Sequence, residues 1–132
     1  MMIVVAIIAI LAAIAMPIYR DYIIRTRLSE VQGLMSGART SLEQYYQDNR
    51  NYGPTTGTAC GGTLPASNYF TFTCTTSNSG QAFVLQAQAK AAPVMGFTYT
   101  VDQTNLRQTT AAPARWSQST TCWTTRKDGS CS

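Results

Sequence analysis

The chain has 132 residues, of which 12% are charged, and a formal net charge of +4. This length allows one small globular domain. Histidine and C-x-x-C pairs are absent and the carboxylates are scattered, so the usual zinc sites are excluded and calcium binding has no support. No nucleophile motif is present and no run of like charge indicates a general nucleic-acid surface. We therefore expect a protein that is not an enzyme and needs no cofactor.

The first nineteen residues, 1–19, are apolar or uncharged. A run of this length can cross a bilayer as a helix, and the same surface can pack against copies of itself. Pro17 lies inside this helical pattern and predicts a kink, because proline removes one backbone hydrogen bond. The side chains expected to pack in this way are Met2, Val4, Val5, Ile7, Ile8, Leu11, Ile14 and Pro17.

A second helical pattern follows directly. Its apolar residues are separated alternately by four and three positions, which predicts an amphipathic helix. The stop signal is at 49–54, where Gly53 and Pro54 follow the last periodic residue. We accordingly divide the chain into an apolar half-helix, 1–23, and a head, 24–132. The apolar stripe consists of Ile24, Leu28, Val31, Met35, Ala38, Leu42 and Tyr45.

Short alternating segments beyond the helix predict β-strands. After a loop at 51–68 we expect strands at about 69–75, 82–89, 96–102 and 106–109, followed by a tail at 110–132. Each strand has one apolar face, which is typical of an antiparallel sheet covered on one side. The predicted fold is therefore α+β, with a long helix packed on three to four strands. Its expected core residues are Ile24, Leu28, Val31, Met35, Leu42, Phe72, Leu85 and Tyr99.

Four cysteines, Cys60, Cys74, Cys122 and Cys131, lie beyond the apolar run. In a chain of this kind they indicate two disulfides formed in an oxidising compartment. Three connectivities are possible. We favour Cys60–Cys74 and Cys122–Cys131, because each pair brackets a turn-rich segment, and the second would clamp the tail.

The tail also mixes aromatic and basic side chains: Arg115, Trp116, Trp123, Arg126 and Lys127. Such a mixture can stack on bases and neutralise phosphates, so DNA is a candidate partner. The alternative is that the tryptophans pin the tail onto the sheet while the charges face water.

The stretch Met2–Glu30, including Pro17, resembles the N-terminal helix of type IV pilins. From Gln44-Tyr45-Tyr46 to the ending Cys122-Trp123 … Lys127-Asp128-Gly129-Ser130-Cys131, the chain resembles the minor-pilin branch of Gram-negative bacteria. The resemblance implies a precursor that is cleaved and N-methylated by prepilin peptidase and held in the inner membrane with its head in the periplasm. It also implies extraction by the pilus assembly machinery into an extracellular helical filament of identical or related pilins. Such filaments act in adhesion, twitching motility or DNA uptake.

In the family, the apolar run begins a few residues earlier, with a phenylalanine and then a glutamate, after a basic leader. These features are missing here, and Arg20, Arg25 and Arg27 follow the apolar run. By the positive-inside rule these arginines would place the head in the cytoplasm, whereas the cysteines favour the opposite side. We therefore expect that Met1 is not the natural start. Two alternatives stay open: a type II secretion pseudopilin, and a secreted disulfide-bonded binding domain released by signal peptidase after Ala15.

Overall fold

A computed structural model describes residues 2–131 of the chain. One long helix, α1, runs over Met2–Asn49 and is followed by four strands. The strands are β1 (Phe70–Ser77), β2 (Ala82–Ala89), β3 (Thr98–Asp102) and β4 (Arg107–Ala111), with a short 3-10 helix at Asn78–Gly80 between the first two. The predicted α+β fold class is confirmed: one helix packs on a four-stranded antiparallel sheet.

Helix α1 is continuous through Pro17, with helical backbone on both sides of it, and the expected kink stays a prediction. The helix ends at Asn49, at the start of the predicted stop signal, and Arg50 follows in the left-handed region with a φ of 59°. The face that it buries follows the predicted 3–4 spacing. That face consists of Leu28, Val31, Met35, Ala38 and Leu42.

The strands pair in chain order, β1-β2-β3-β4, and every neighbouring pair is antiparallel. Strand β1 runs to Ser77, two residues beyond the predicted end, because its full length pairs with β2. Strand β3 begins at Thr98 rather than at 96, since the amide of Phe97 donates to the carbonyl of Val94 in a turn at 3.3 Å. Strand β4 runs from 107 to 111 rather than from 106 to 109.

The core lies between α1 and one face of the sheet. Leu85 and Tyr99, both predicted core residues, are fully buried there. Ile24 and Phe72 are only partly buried and pack against the margin of the core. Large buried side chains that the predicted core set did not include are Tyr52, Phe70, Phe83, Phe97, Val94, Val101 and Trp123.

Both disulfides join the cysteines favoured from the sequence. Cys60–Cys74 ties the loop after α1 to β1, with the Cα atoms 5.5 Å apart, and Cys122–Cys131 closes the tail, with the Cα atoms 6.0 Å apart. The ring of Tyr45 packs over Gly61 in the first loop, so a Cβ at this position would displace that ring. The tail pairs with the outer strand β4: the amide of Thr109 donates to the carbonyl of Ser119 at 2.7 Å. The tail is therefore part of the sheet's edge.

Candidate functional site

The apolar half of α1 is a large exposed surface. Its side chains face solvent along the whole stretch, from Met2 at 90% exposure to Ile7 at 52%. It belongs to the one helix among residues 2–131 that is long and apolar enough to cross a membrane. A surface of this kind is unfavourable in water at about 25 cal/mol per Å², so it needs lipid or other apolar helices around it. All the predicted packing residues lie on it: Met2, Val4, Val5, Ile7, Ile8, Leu11, Ile14 and Pro17.

Charged side chains begin where this apolar surface ends. The ammonium group of Lys127 lies 2.6 Å from a carboxylate oxygen of Asp21. Lys127 and Arg115 line a depression of about 320 Å³ together with Met16, Pro17, Arg20 and Asp21. The structure thus brings two residues of the tail, which are about 100 positions away in sequence, against the boundary between the apolar and polar halves of α1.

The two tryptophans of the candidate DNA patch pack onto the sheet, as the alternative interpretation of the tail expects. Trp123 is 4% exposed, and its indole N–H donates to the carbonyl of Thr100 at 2.8 Å. Its ring stacks on Tyr99, with ring centroids 6.2 Å apart. Trp116 is partly buried and packs edge-on against Phe97 at 5.0 Å. Both rings fix the tail to the sheet because burial of a large aromatic surface is favourable. The faces of Trp123 are covered by Tyr99 and Arg107, so it offers no free face to a base.

The basic residues of the patch do face solvent, but in different surroundings. Arg115 and Lys127 are exposed at the depression beside α1, and Arg126 is exposed in the turn closed by Gly129. The hydroxyl and the amide of Ser130 both donate to Asp128, and these hydrogen bonds hold the pKa of Asp128 below its usual range. The carboxylate in this turn is therefore engaged locally.

Arg107 on β4 is a cation of the candidate site that the sequence did not predict. The guanidinium of Arg107 lies 4.6 Å from the centre of the Trp123 ring, and its Nε donates to the side-chain oxygen of Asn105 at 3.3 Å. Arg107 is exposed, yet these two contacts restrict its orientation. The sequence signal was weak, because Arg107 and Trp123 are 16 positions apart and are joined only by the pairing of the tail with β4.

A polar groove of about 530 Å³ lies where β4 meets the tail, directly after Arg107. The side-chain amide of Gln108 donates across it to the carbonyl of Thr120 at 3.2 Å. Amide and hydroxyl groups of this kind can donate to phosphate oxygens and can contact base edges. The groove is lined by Gln108, Thr109, Thr110, Gln118, Ser119 and Thr120.

Two buried tyrosines have perturbed acidities. Burial raises the pKa of Tyr99, although the bond from its hydroxyl to the carbonyl of Thr124 acts in the opposite direction. Burial and a hydrogen bond to Glu43 raise the pKa of Tyr52 to about 12. Both side chains are core residues and neither lines the groove, so these shifts bear on stability. Among residues 2–131, no group of three or more metal-ligating side chains comes together.

The long exposed apolar helix, the four-stranded sheet and the disulfide-closed tail together define a type IV pilin. The same fold is found in a solved type IV pilin from Shewanella oneidensis, with a TM-score of 0.50 and 22% identity over 64% of this chain and 89% of that one. Residues 17–125 match the family model described as type IV minor pilin ComP, DNA uptake sequence receptor. The chain therefore belongs to the ComP family of type IV minor pilins, which are structural proteins and not enzymes.

Curated fimbrial proteins are also similar to this chain. Fimbrial protein EcpC of Eikenella corrodens is 35% identical over 94 residues, which is 71% of this chain and 61% of EcpC. Type IV major pilin protein PilE1 of Neisseria gonorrhoeae is 38% identical over 68 residues, covering 52% of this chain and 41% of that protein. The chain thus spans less than two thirds of the length of these relatives. The similarity supports a pilus subunit rather than a secretion pseudopilin or a secreted domain.

Proposed function

We propose that this protein is a minor subunit of a type IV pilus that binds double-stranded DNA for uptake. The observation that carries the proposal is the match of residues 17–125 to a family described as a DNA uptake sequence receptor. This match covers nearly the whole head, 24–132, and not only the apolar half-helix. Of the roles considered, adhesion, twitching motility and DNA uptake, only DNA uptake is named in that description.

Electrostatics supports the proposal. Beyond residue 50 the chain holds five basic residues against two acidic ones, and all five basic side chains are exposed. Among residues 2–131, only Lys127 of these five has an ion-pair partner. The side chain of Asp102 is engaged in its own turn, where it accepts bonds from the amides of Thr104 and Leu106 at 2.8 and 2.9 Å. The head therefore presents cations whose charge is not locally neutralised, as phosphate binding requires.

The β4–tail edge, defined as Arg107 with the polar groove after it, is the surface we assign to DNA. Arg107 is held over Trp123, so less side-chain entropy is lost when its guanidinium binds a phosphate. The groove adds hydroxyl and amide groups that can contact the duplex next to that phosphate. In this arrangement Trp123 supports the cation from beneath and does not itself stack on a base.

Before binding, the subunit must reach the filament. The exposed apolar half-helix fits a precursor anchored in the inner membrane, which the assembly machinery then extracts into a filament of related pilins. Packing of Leu11, Ile14 and their neighbours against the helices of adjacent subunits would bury the surface that lipid covered before. The disulfides fit a head located in the periplasm and then outside the cell.

The test is DNA binding by the full chain in lipid nanodiscs, measured by fluorescence anisotropy with a short labelled duplex between about 50 and 200 mM salt. Arg107→Gln should raise Kd several-fold and reduce the slope of log Kd against log salt by about 1. Lys90→Gln is the matched control. Lys90 is an exposed cation that directly follows the last residue of β2, Ala89, and its replacement should leave both values unchanged.

Selection from a pool of random duplexes completes this test. Enrichment of one motif would identify a receptor for a particular sequence, whereas binding without enrichment would limit the role to general DNA capture. Absence of DNA binding by the wild-type chain would refute the proposed function. Equal losses in Arg107→Gln and Lys90→Gln would remove the β4–tail edge as the site.

A further inference from the structure

The part of the head that contains Arg115 and Lys127 lies beside the end of the apolar half-helix. The apolar stretch 2–19, at about 1.5 Å per residue, spans about 27 Å, which is close to the thickness of the hydrocarbon core of a bilayer. Tyr19 and Tyr22 are 64% and 68% exposed and lie on either side of the first charges, as aromatic residues do at a membrane interface. In a membrane-held subunit, residues 16–22 would therefore lie at the level of the lipid headgroups.

The tail lies at the same level relative to the bilayer, because it contacts this part of α1. Arg115 and Lys127 line the same depression as Met16 and Pro17, so the fold holds these two cations at the level of that turn of the helix. Arg20 adds a third cation, and Asp21, bonded to Lys127, is the one acidic residue of the set. The depression, which we call the basal depression, thus has three cations against one anion.

An apolar surface adjoins this charge. A second depression of about 590 Å³, on the next turn of α1, is lined by Arg20, Ile23, Ile24, Ala92 and Pro93. It lies beside the connection between β2 and β3, where Met95 is 54% exposed. Cations next to exposed apolar side chains form the combination that binds the interface of an anionic membrane.

We infer that the basal depression binds the phosphate of an anionic phospholipid while the subunit is held in the membrane. Arg115 and Arg20 contribute charge that no other side chain within residues 2–131 neutralises by an ion pair. Lys127 is positioned by Asp21, and the lipid phosphate takes the remaining donors of its ammonium group. The contact orients the head on the bilayer, and it is lost when the subunit leaves the membrane. The inference rests on the proposed membrane-held precursor.

The experiment uses the full chain in nanodiscs of phosphatidylcholine with a minor fraction of phosphatidylglycerol. The chain is released from the discs, and native mass spectrometry counts how many molecules of each of the two lipids stay bound to it. The wild-type chain should retain phosphatidylglycerol well above its share of the disc. Arg115→Gln should reduce this enrichment about fivefold, the effect expected for one cation near an anionic surface.

Arg50→Gln is the matched control. Arg50 is also an exposed arginine with φ in the left-handed region, 59° against 73° for Arg115. It follows the other end of α1, about 45 Å along the helix axis from Arg20. This variant should keep the wild-type enrichment. Lys127→Gln, at an exposed side chain, provides a second variant of the depression should Arg115→Gln fail to fold, and its enrichment should fall in the same way.

Two outcomes would overturn the inference: no phosphatidylglycerol enrichment in the wild-type chain, or equal losses in Arg115→Gln and Arg50→Gln. These outcomes leave the proposed function intact, because DNA binding is measured separately on the β4–tail edge. A chain that does not co-purify with nanodiscs at all would refute the membrane-held precursor and this inference together.

Discussion

The ammonium group of Lys127 bonds to the carboxylate of Asp21 at 2.6 Å, across 106 positions of sequence. Of the three ion pairs among residues 2–131, this is the one that joins the tail to α1. It lies where the helix passes from apolar to polar, so it ties the disulfide-closed tail to the end of the apolar half-helix.

We predict that Asp21→Asn loosens the tail with little effect on global stability. Both side chains are about a third or more exposed, and an exposed ion pair contributes less than about 1 kcal/mol. Hydrogen exchange at 125–131 should become faster, while the midpoint of head unfolding by urea in detergent micelles should hardly change. The reversed pair, Asp21→Lys with Lys127→Asp, should restore slow exchange. Unchanged exchange in Asp21→Asn would show that the disulfide and the tryptophans alone hold the tail.

Trp123 tests the difference between a structural aromatic residue and a DNA-stacking one. Trp123→Ala removes a buried ring and the bond to Thr100, so we expect a loss of about 3–5 kcal/mol in the free energy of unfolding. Trp123→Phe keeps a ring beneath Arg107 and should lose less, about 2 kcal/mol, because it removes one hydrogen bond and part of the buried ring. Urea unfolding followed by near-UV circular dichroism measures both losses.

DNA binding by Trp123→Phe provides the corresponding control. The variant should bind the labelled duplex nearly as well as the wild-type chain, because the ring is a support for Arg107 and its own faces are covered. Full stability combined with lost DNA binding would contradict the structural role and restore the stacking interpretation.

The helix could be predicted from the sequence because its signal is local. The spacing of the predicted stripe depends only on the helical repeat, and five of its members are the side chains of α1 that the structure buries: Leu28, Val31, Met35, Ala38 and Leu42. Strand boundaries were less accurate: β1 extends to Ser77 because its partner on β2 continues to Ala82, which is information that β1 alone does not carry. The two disulfides followed from the turn-rich segments between neighbouring cysteines.

The candidate sites could be predicted only in part. Composition predicted aromatic and basic residues in the tail, but it could not show which of them turn inward. Trp123 turns inward because Tyr99 and Thr100 offer it a ring and a carbonyl, and Lys127 turns toward Asp21. Arg107 and the basal depression depend on the docking of the tail, which is a long-range relationship without a local pattern.

A matched pair of leucines separates head stability from filament assembly. Leu28 is fully buried and Leu11 is 62% exposed, and both lie on α1. Leu28→Ala should lower the free energy of head unfolding by about 2–5 kcal/mol, because it leaves a cavity under the sheet. Leu11→Ala should leave head unfolding unchanged and reduce the amount of the subunit in filaments sheared from the host. Equal destabilisation of the head by both changes would contradict the division at residue 23.

Alkaline pH should destabilise the head through its buried tyrosines. Burial raises the pKa of Tyr99, and burial with the Glu43 hydrogen bond raises that of Tyr52 to about 12. Below about pH 10, the ordinary tyrosine pKa, both states keep the proton and the full stability is present. Above it the unfolded chain releases the protons that the native chain retains, so the free energy of unfolding falls as the pH rises, for Tyr52 until about pH 12.

Urea midpoints measured in detergent micelles at a series of pH values between about 8 and 12 test this dependence. Tyr99→Phe should be less stable than the wild-type chain at pH 8, since the hydroxyl no longer bonds to Thr124, yet its midpoint should fall less steeply above pH 10. Val101→Ala is the control, because it removes buried volume from the same strand without removing an ionisable group. Its midpoint should be lower by a similar amount at every pH. Parallel curves for Tyr99→Phe and the wild-type chain would show that Tyr99 does not contribute to the alkaline loss of stability.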